Sequence, residues 1–172
     1  MFRGSLFPVF LNLKGIALDA ELINPFINST INVIKTMAAL ELTVDKPTLK
    51  KGKSTWGEVT GLIGLAGYQG TGNMILSFDK PSILKIVNGM LGEQFSDVND
   101  QIVDAVGELT NMISGGAKRS LNDLGFFFEM AAPVTIVGQN VEIKQLTKDP
   151  VITVPFNVES GSFVLEAALR KE

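Results

Sequence analysis

The sequence predicts an α/β (α+β) fold in which two related helix-then-strands units share one mostly antiparallel sheet, packed by long helices. Three observations carry this prediction. Two stretches, 25–38 and roughly 100–124, place apolar residues three and four apart, the period of a helix with one buried face. The segments that follow them change to the strict alternation of half-buried strands. The two halves also repeat each other. After each long helix comes a proline and then a glycine five residues on, Pro47…Gly52 and Pro133…Gly138, and each half closes in a hairpin, 59–66 with 73–78 and 152–158 with 162–169. A period this long is not that of a solenoid.

Taken in order, residues 1–20 form a leader ahead of the domain, and 21–172 form one domain, as the length of 172 residues suits. Residues 6–18 are mostly apolar after Arg3, which faintly resembles a signal peptide. Pro8, Asn12 and Lys14 interrupt the run and no small-x-small cleavage site follows, so a flexible or strand-like leader is expected. Asn24-Pro25 is read as the opening of the first helix, with Asn24 as the N-cap and proline at the first helical position. Phe26, Ile27, Thr30, Ile31, Val33, Ile34, Met37 and Ala38 give its buried face. Strand chemistry follows at 41–50, 55–66 and 73–78. Pro81 starts a short helix that stops near Gly92, and Asp97 or Asn99 caps the long second helix. Strand-like segments then cover 126–137, 141–146, 151–159 and 162–169.

Composition excludes several function classes. The chain has no histidine and no cysteine, so the usual zinc sites, a Ser-His-Asp triad, a Cys-His nucleophile and a histidine base are unavailable, as are disulfides. A net charge of −3 without a basic cluster argues against nucleic acid as a partner. No apolar run approaches the roughly 18–20 residues of a membrane helix, so no membrane insertion is expected. Charged residues make up only 19% of the chain, a deficit that a large core or a covered surface would explain.

Most motifs have a structural reading. Pro47-Thr-Leu-Lys-Lys-Gly-Lys53-Ser54 ends like a phosphate loop, but Pro47 replaces the first glycine and no helix begins at Ser54, which makes it a basic turn. Gly67-Tyr-Gln-Gly70-Thr-Gly72 joins two strands and is a hairpin turn, since a dinucleotide fingerprint needs a helix next. Trp56 and Phe126-Phe127-Phe128 are assigned to the core, with an interface as the alternative.

The long second helix is different. Ile102, Val106, Leu109, Ile113, Ala117 and Leu124 share an apolar arc, whereas Asp104, Glu108, Asn111 and Gly115 gather on nearly the opposite side. A solvated polar face is the ordinary reading of such a stripe. Against it, Asn111 suits a helix interior poorly, and Ser114-Gly115-Gly116 gives up about 1 kcal/mol of helix propensity per glycine. Small residues there leave Glu108 and Asn111 accessible to another protein's surface.

At these residues the sequence resembles the CheC–CheX–FliY phosphatases. Asp104-Ala-Val-Gly-Glu108-Leu-Thr-Asn111, with Pro133 some twenty residues on, is similar to their Asp/Ser-x3-Glu-x2-Asn…Pro signature, and Asn24-Pro25-Phe26-Ile27 to the Asn-Pro-Phe opening of the CheX branch. The resemblance runs from about Glu21 to Leu169. It implies a cytoplasmic phosphatase that hydrolyses the aspartyl phosphate of a CheY-like response regulator. Asn111 would orient the attacking water, Glu108 would pair with the regulator's lysine, and Asp104 would support the docking surface. It also implies a homodimer joined through sheet edges, no cofactor of the chain's own, and Mg2+ on the partner. A receiver-binding module without catalysis and a flagellar-switch-like structural protein are the alternatives. Glu21-Leu-Ile-Asn24 spells Glu-x2-Asn as well, but Pro25 is expected to keep Asn24 out of helical geometry, leaving one active centre.

Overall fold

A computed structural model describes residues 12–13, 16–17, 20–144 and 150–171. Of the leader, β1 (Asn12–Leu13) and β2 (Ile16–Ala17) pair antiparallel, and its remaining residues lie outside the described ones. Then follow α1 (Ala20–Ala38), β3 (Thr43–Val44), β4 (Thr48–Leu49), β5 (Val59–Gly67), β6 (Gly70–Phe78), α2 (Lys80–Leu91) and α3 (Asp100–Asp123). The chain continues through β7 (Glu129–Met130), β8 (Val134–Val137), β9 (Ile152–Val158) and β10 (Gly161–Lys171).

One antiparallel sheet runs β3-β9-β10-β6-β5-β7, with β4 also beside β9 and β8 also beside β5. The duplication in the sequence is visible in this order. The short strands after α1 pair with the hairpin of the second half, and those after α3 pair with the hairpin of the first. Pro47 and Pro133 stand immediately before the equivalent strands β4 and β8. The two hairpins meet at β6 and β10, in register from Phe78 opposite Phe163 to Gly70 opposite Lys171.

The core lies between the helices and one face of the sheet. Alternate residues Met74, Leu76 and Phe78 of β6 and Phe163, Leu165 and Ala167 of β10 are buried there with Ile23, Phe26 and Ile34 of α1 and Val106, Leu109 and Ile113 of α3. Phe163 stacks between Phe78 and Phe156, at centroid distances of 4.9 and 5.0 Å. The opposite face is more polar: Lys50 Nζ donates to both carboxylate oxygens of Glu166 at 2.8 and 2.7 Å, with side-chain exposures of 10% and 4%.

Local chemistry sets the element ends. Asp79 caps α2 by accepting from Ser82 N–H (2.8 Å), and its other oxygen accepts from Ser162 N–H (3.0 Å), so the cap also fastens the start of β10. Gly92 ends α2 at φ +65°, where glycine is unstrained. Asn99 caps α3 through Ile102 N–H at 3.0 Å. The turn reading of 67–72 holds, because Tyr68-Gln69 closes the β5–β6 hairpin. The reading of 47–54 as a basic turn needs narrowing: Thr48–Leu49 form β4 and Lys50 pairs with Glu166, so the turn itself lies at 51–53, with Gly52 at φ +78°, before Ser54 bridges to Glu142 and with no helix following.

Several expectations need correction. Helix α1 begins at Ala20 and carries Pro25 inside it, so Asn24 is an interior residue and not the cap. Proline in the second turn forfeits one hydrogen bond, to the Glu21 carbonyl, while buried Leu22, Ile23 and Phe26 anchor the same turn. Glu21 and Asn24 therefore lie three apart on continuous helix, contrary to the geometry expected from Pro25. Leu124 lies beyond α3 and is half-exposed; Leu121 takes its place in the buried face. Trp56 and Phe127 are exposed, whereas Phe128 is buried and Phe126 packs partly on the core. The strand expected at 126–137 is broken into β7 and β8. That at 141–146 is reduced to the Ser54–Glu142 bridge, with 145–146 outside the described residues.

Candidate functional site

Helix α3 rests on β5 and β8 and crosses α1, which leaves one stripe of its surface open. Ile102, Ala105, Val106, Leu109, Thr110, Ile113, Ser114, Ala117 and Leu121 face inward. Asp104, Glu108 and Asn111 are all exposed, as the sequence anticipates. Glu108 and Asn111 are three residues apart on regular helix, so their β-carbons are about 5–6 Å apart on one surface. Asp104 lies one turn before Glu108, and the three span about 10 Å along the axis. Among the described residues, none of these three side chains makes a hydrogen bond or ion pair within the chain. A carboxylate and an amide are thus presented side by side with their bonding capacity unused.

The glycines near the site have separate explanations. A β-carbon on Gly116 would fall on Ser29 Oγ of α1, and Ser29 Oγ donates to the Ile113 carbonyl at 2.7 Å. Gly116 therefore serves the crossing of α1 and α3, which corrects its assignment to partner access. Gly115 differs: an added β-carbon there meets nothing nearer than Met130 Cε at 3.9 Å. Among the described residues, no packing demands glycine at that position. Beyond it, Lys118 Nζ pairs with the Glu129 carboxylate at 3.1 Å and closes the stripe.

The supporting walls had no signal in the sequence. Gly61 of β5 lies beneath Thr110, Thr135 of β8 lies beside Gly107, and Ala131 N–H donates to the Gly64 carbonyl at 3.0 Å to hold the β7–β8 connection that carries Pro133. These contacts join residues far apart in the chain. Ahead of α3, Lys80 donates to Asp97 at 2.8 Å. That bond holds the Asp97 carboxyl below its usual range, helped by the Val98 N–H, and holds the Lys80 ammonium above its own.

Chemically, the stripe presents the carboxylates of Asp104 and Glu108 and the amide of Asn111. Among the described residues no group of three or more carboxylates is placed to hold an ion, and none of the helices is long and apolar enough to cross a membrane. An exposed carboxylate and amide on a rigid helix are suited to completing another protein's site: the amide can orient a water and the carboxylate can pair with a cation.

Comparison with known proteins agrees with this arrangement. The family model for the chemotaxis phosphatase CheX matches residues 59–157, which include all of α3. The CheY-P phosphatase CheX of Thermotoga maritima is 26% identical over 144 residues, covering 83% of this chain and 91% of that one. The solved structure of the chemotaxis protein CheX from Vibrio vulnificus is 43% identical, with a TM-score of 0.82 over 88% of this chain and 100% of that one. CheX in a CheX–CheY–BeF3–Mg2+ complex from Borrelia burgdorferi is 26% identical, with a TM-score of 0.74 over 87% and 98%. On these grounds the chain belongs to the CheX family of chemotaxis phosphatases.

Proposed function

We propose that this chain hydrolyses the aspartyl phosphate of a CheY-like response regulator, with Asn111 orienting the attacking water and Glu108 pairing with the regulator's active-site lysine. The observation that carries the reading is the exposed Glu108/Asn111 pair, whose side chains have no partner among the described residues, on the helix of a CheX-family fold. The CheY-P phosphatase activity of the Thermotoga relative and the CheX–CheY complex from Borrelia support it. In the reaction, water oxygen bonds to phosphorus as the bond from phosphorus to the aspartyl oxygen breaks, leaving inorganic phosphate and the free carboxylate. Phosphoryl transfer depends chiefly on position and electrostatics, so a placed amide is a sufficient contribution. An acceleration of about a hundredfold requires only about 2.7 kcal/mol off the barrier. Mg2+ and the lysine belong to the regulator, and the chain supplies no cofactor.

Asp104, one turn from Glu108, supports docking. Residues 21–172 act as one domain with one centre, because Asn24 is half-buried while Asn111 stands exposed. The same reading includes a cytoplasmic homodimer joined through sheet edges. Edge strand β8, whose Val134 and Val137 are 55% and 60% exposed, is the suited surface. Phosphate loss from a phosphorylated CheY-like receiver tests the activity. Wild type should accelerate it, and Asn111→Ala and Glu108→Ala should both fall near the receiver's own rate. Binding without acceleration by the wild type would establish a receiver-binding module instead.

A further inference from the structure

Gly61 stands within β5, where a glycine weakens the strand and often marks close approach by another part of the chain. Here the approaching element is α3. A β-carbon on Gly61 would fall on Thr110 Oγ1, 3.1 Å from Thr110 Cβ and 3.3 Å from Val106 Cγ1. Thr110 is fully buried and its Oγ1 donates to the Val106 carbonyl at 2.7 Å. Rotating Thr110 away would break that bond. Thr110 Cβ and Val106 Cγ1 would still crowd the new methyl after such a rotation, so α3 and β5 must part slightly at this point. Gly64 of the same strand makes no such demand, since a β-carbon there would lie 3.8 Å from Ala131 Cβ, in ordinary contact.

The residue after Thr110 is Asn111. The closeness of β5 to α3 at Gly61 sets how deep the helix sits at this turn, and hence how far the Asn111 amide projects. Two other contacts hold the same segment: Gly107 against Thr135 of β8, and the Ile113 carbonyl against Ser29 of α1. We propose that Gly61 is a positioning residue for the reaction, holding Asn111, through Thr110, at the depth from which its amide orients the water. The proposal rests on the reading of Asn111 given above. Glu108 ends in a longer, flexible side chain that can follow a shifted helix to an ion pair. The shorter Asn111 amide has less reach, and in-line attack tolerates little error: a misplacement of about 1 Å can cost about a hundredfold in rate. Binding should therefore survive a disturbance that impairs turnover.

The test is Gly61→Ala, assayed on a phosphorylated CheY-like receiver beside a thermal melt. The expected result is a chain folded at the assay temperature, with kcat down about tenfold or more and KM within about twofold. Adding Thr110→Ala removes the Oγ1 that the new methyl meets, and should restore kcat to within about threefold of wild type. Wild-type kcat in folded Gly61→Ala, or a loss that Thr110→Ala does not recover, would overturn the proposal. If Gly61→Ala alone does not fold, the folded double variant decides: near-wild-type kcat supports positioning, and a kcat still about tenfold down overturns it. An undiminished rate in Asn111→Ala would sink the reading of Asn111 itself. A loss there without one in Gly61→Ala would sink only the role of Gly61.

Discussion

The adjacent glycines of α3 should respond in opposite ways to a single methyl group. Gly115 sits in the helix interior, where alanine is better than glycine by about 1 kcal/mol. Its new β-carbon would meet only Met130 Cε at 3.9 Å, an ordinary contact that subtracts nothing. For a domain of this size about 1 kcal/mol raises Tm by about 2–4 °C. At Gly116 the same methyl would fall on Ser29 Oγ and lie 3.2 Å from Ser29 Cβ, where α1 and α3 cross. Overpacking of that kind costs about 1–3 kcal/mol, so Gly116→Ala should melt lower despite its better helix propensity. The catalytic consequence separates the two further. Gly115 lies one turn beyond Asn111 on the open stripe, so Gly115→Ala should raise KM severalfold with kcat retained while Tm rises. Thermal unfolding and steady-state turnover of a phosphorylated receiver measure both quantities. A lower Tm for Gly115→Ala would refute the claim that no internal packing needs that glycine. An unchanged KM would remove it from the docking surface.

Lys50→Met leaves the Glu166 carboxylate buried without its partner. It should lower unfolding free energy by about 3–5 kcal/mol in denaturant titrations, with kcat unchanged because the pair lies on the sheet face away from α3. Asn24→Ala should keep receiver turnover within about twofold of wild type, and a loss comparable with that of Asn111→Ala would establish a second centre on α1. Val134→Lys combined with Val137→Lys places charge on the exposed β8 edge and should dissociate the proposed homodimer in sedimentation equilibrium. A dimer that persists would move the interface elsewhere.

Features governed by local chemistry were legible in the sequence. The Asn99 cap, the Gly92 stop, the Tyr68-Gln69 turn and the 3.6-residue pattern of α3 each depend on residues a few positions apart. Pro47 and Pro133 marked the repeat of the two halves, and the spacing of Asp104, Glu108 and Asn111 put all three on one exposed stripe. What failed depended on tertiary contacts. Pro25 looked like a first-turn residue because local preference alone favours that. The burial of Leu22, Ile23 and Phe26 carries the helix back to Ala20. Trp56 and Phe127 are as apolar as the core residues around them, and only the course of the neighbouring strands leaves them outside. The exchange of short strands between the halves pairs residues 63 to 114 positions apart, which no local pattern encodes. Gly61 falls in the same class. In sequence it is one glycine among the 17 of the chain, and its meaning comes from Thr110 lying above it.

The most direct measurement pairs single-turnover phosphate loss from a phosphorylated CheY-like receiver with binding of the chain to the beryllofluoride-activated, Mg2+-loaded receiver, for wild type and Asn111→Ala. If Asn111 acts on the chemical step, the variant should bind within about threefold of wild type yet leave phosphate loss at the receiver's own rate, about a hundredfold or more slower. Phosphate loss near the wild-type rate, or binding that falls in parallel with it, would contradict the assignment of Asn111 to the attacking water.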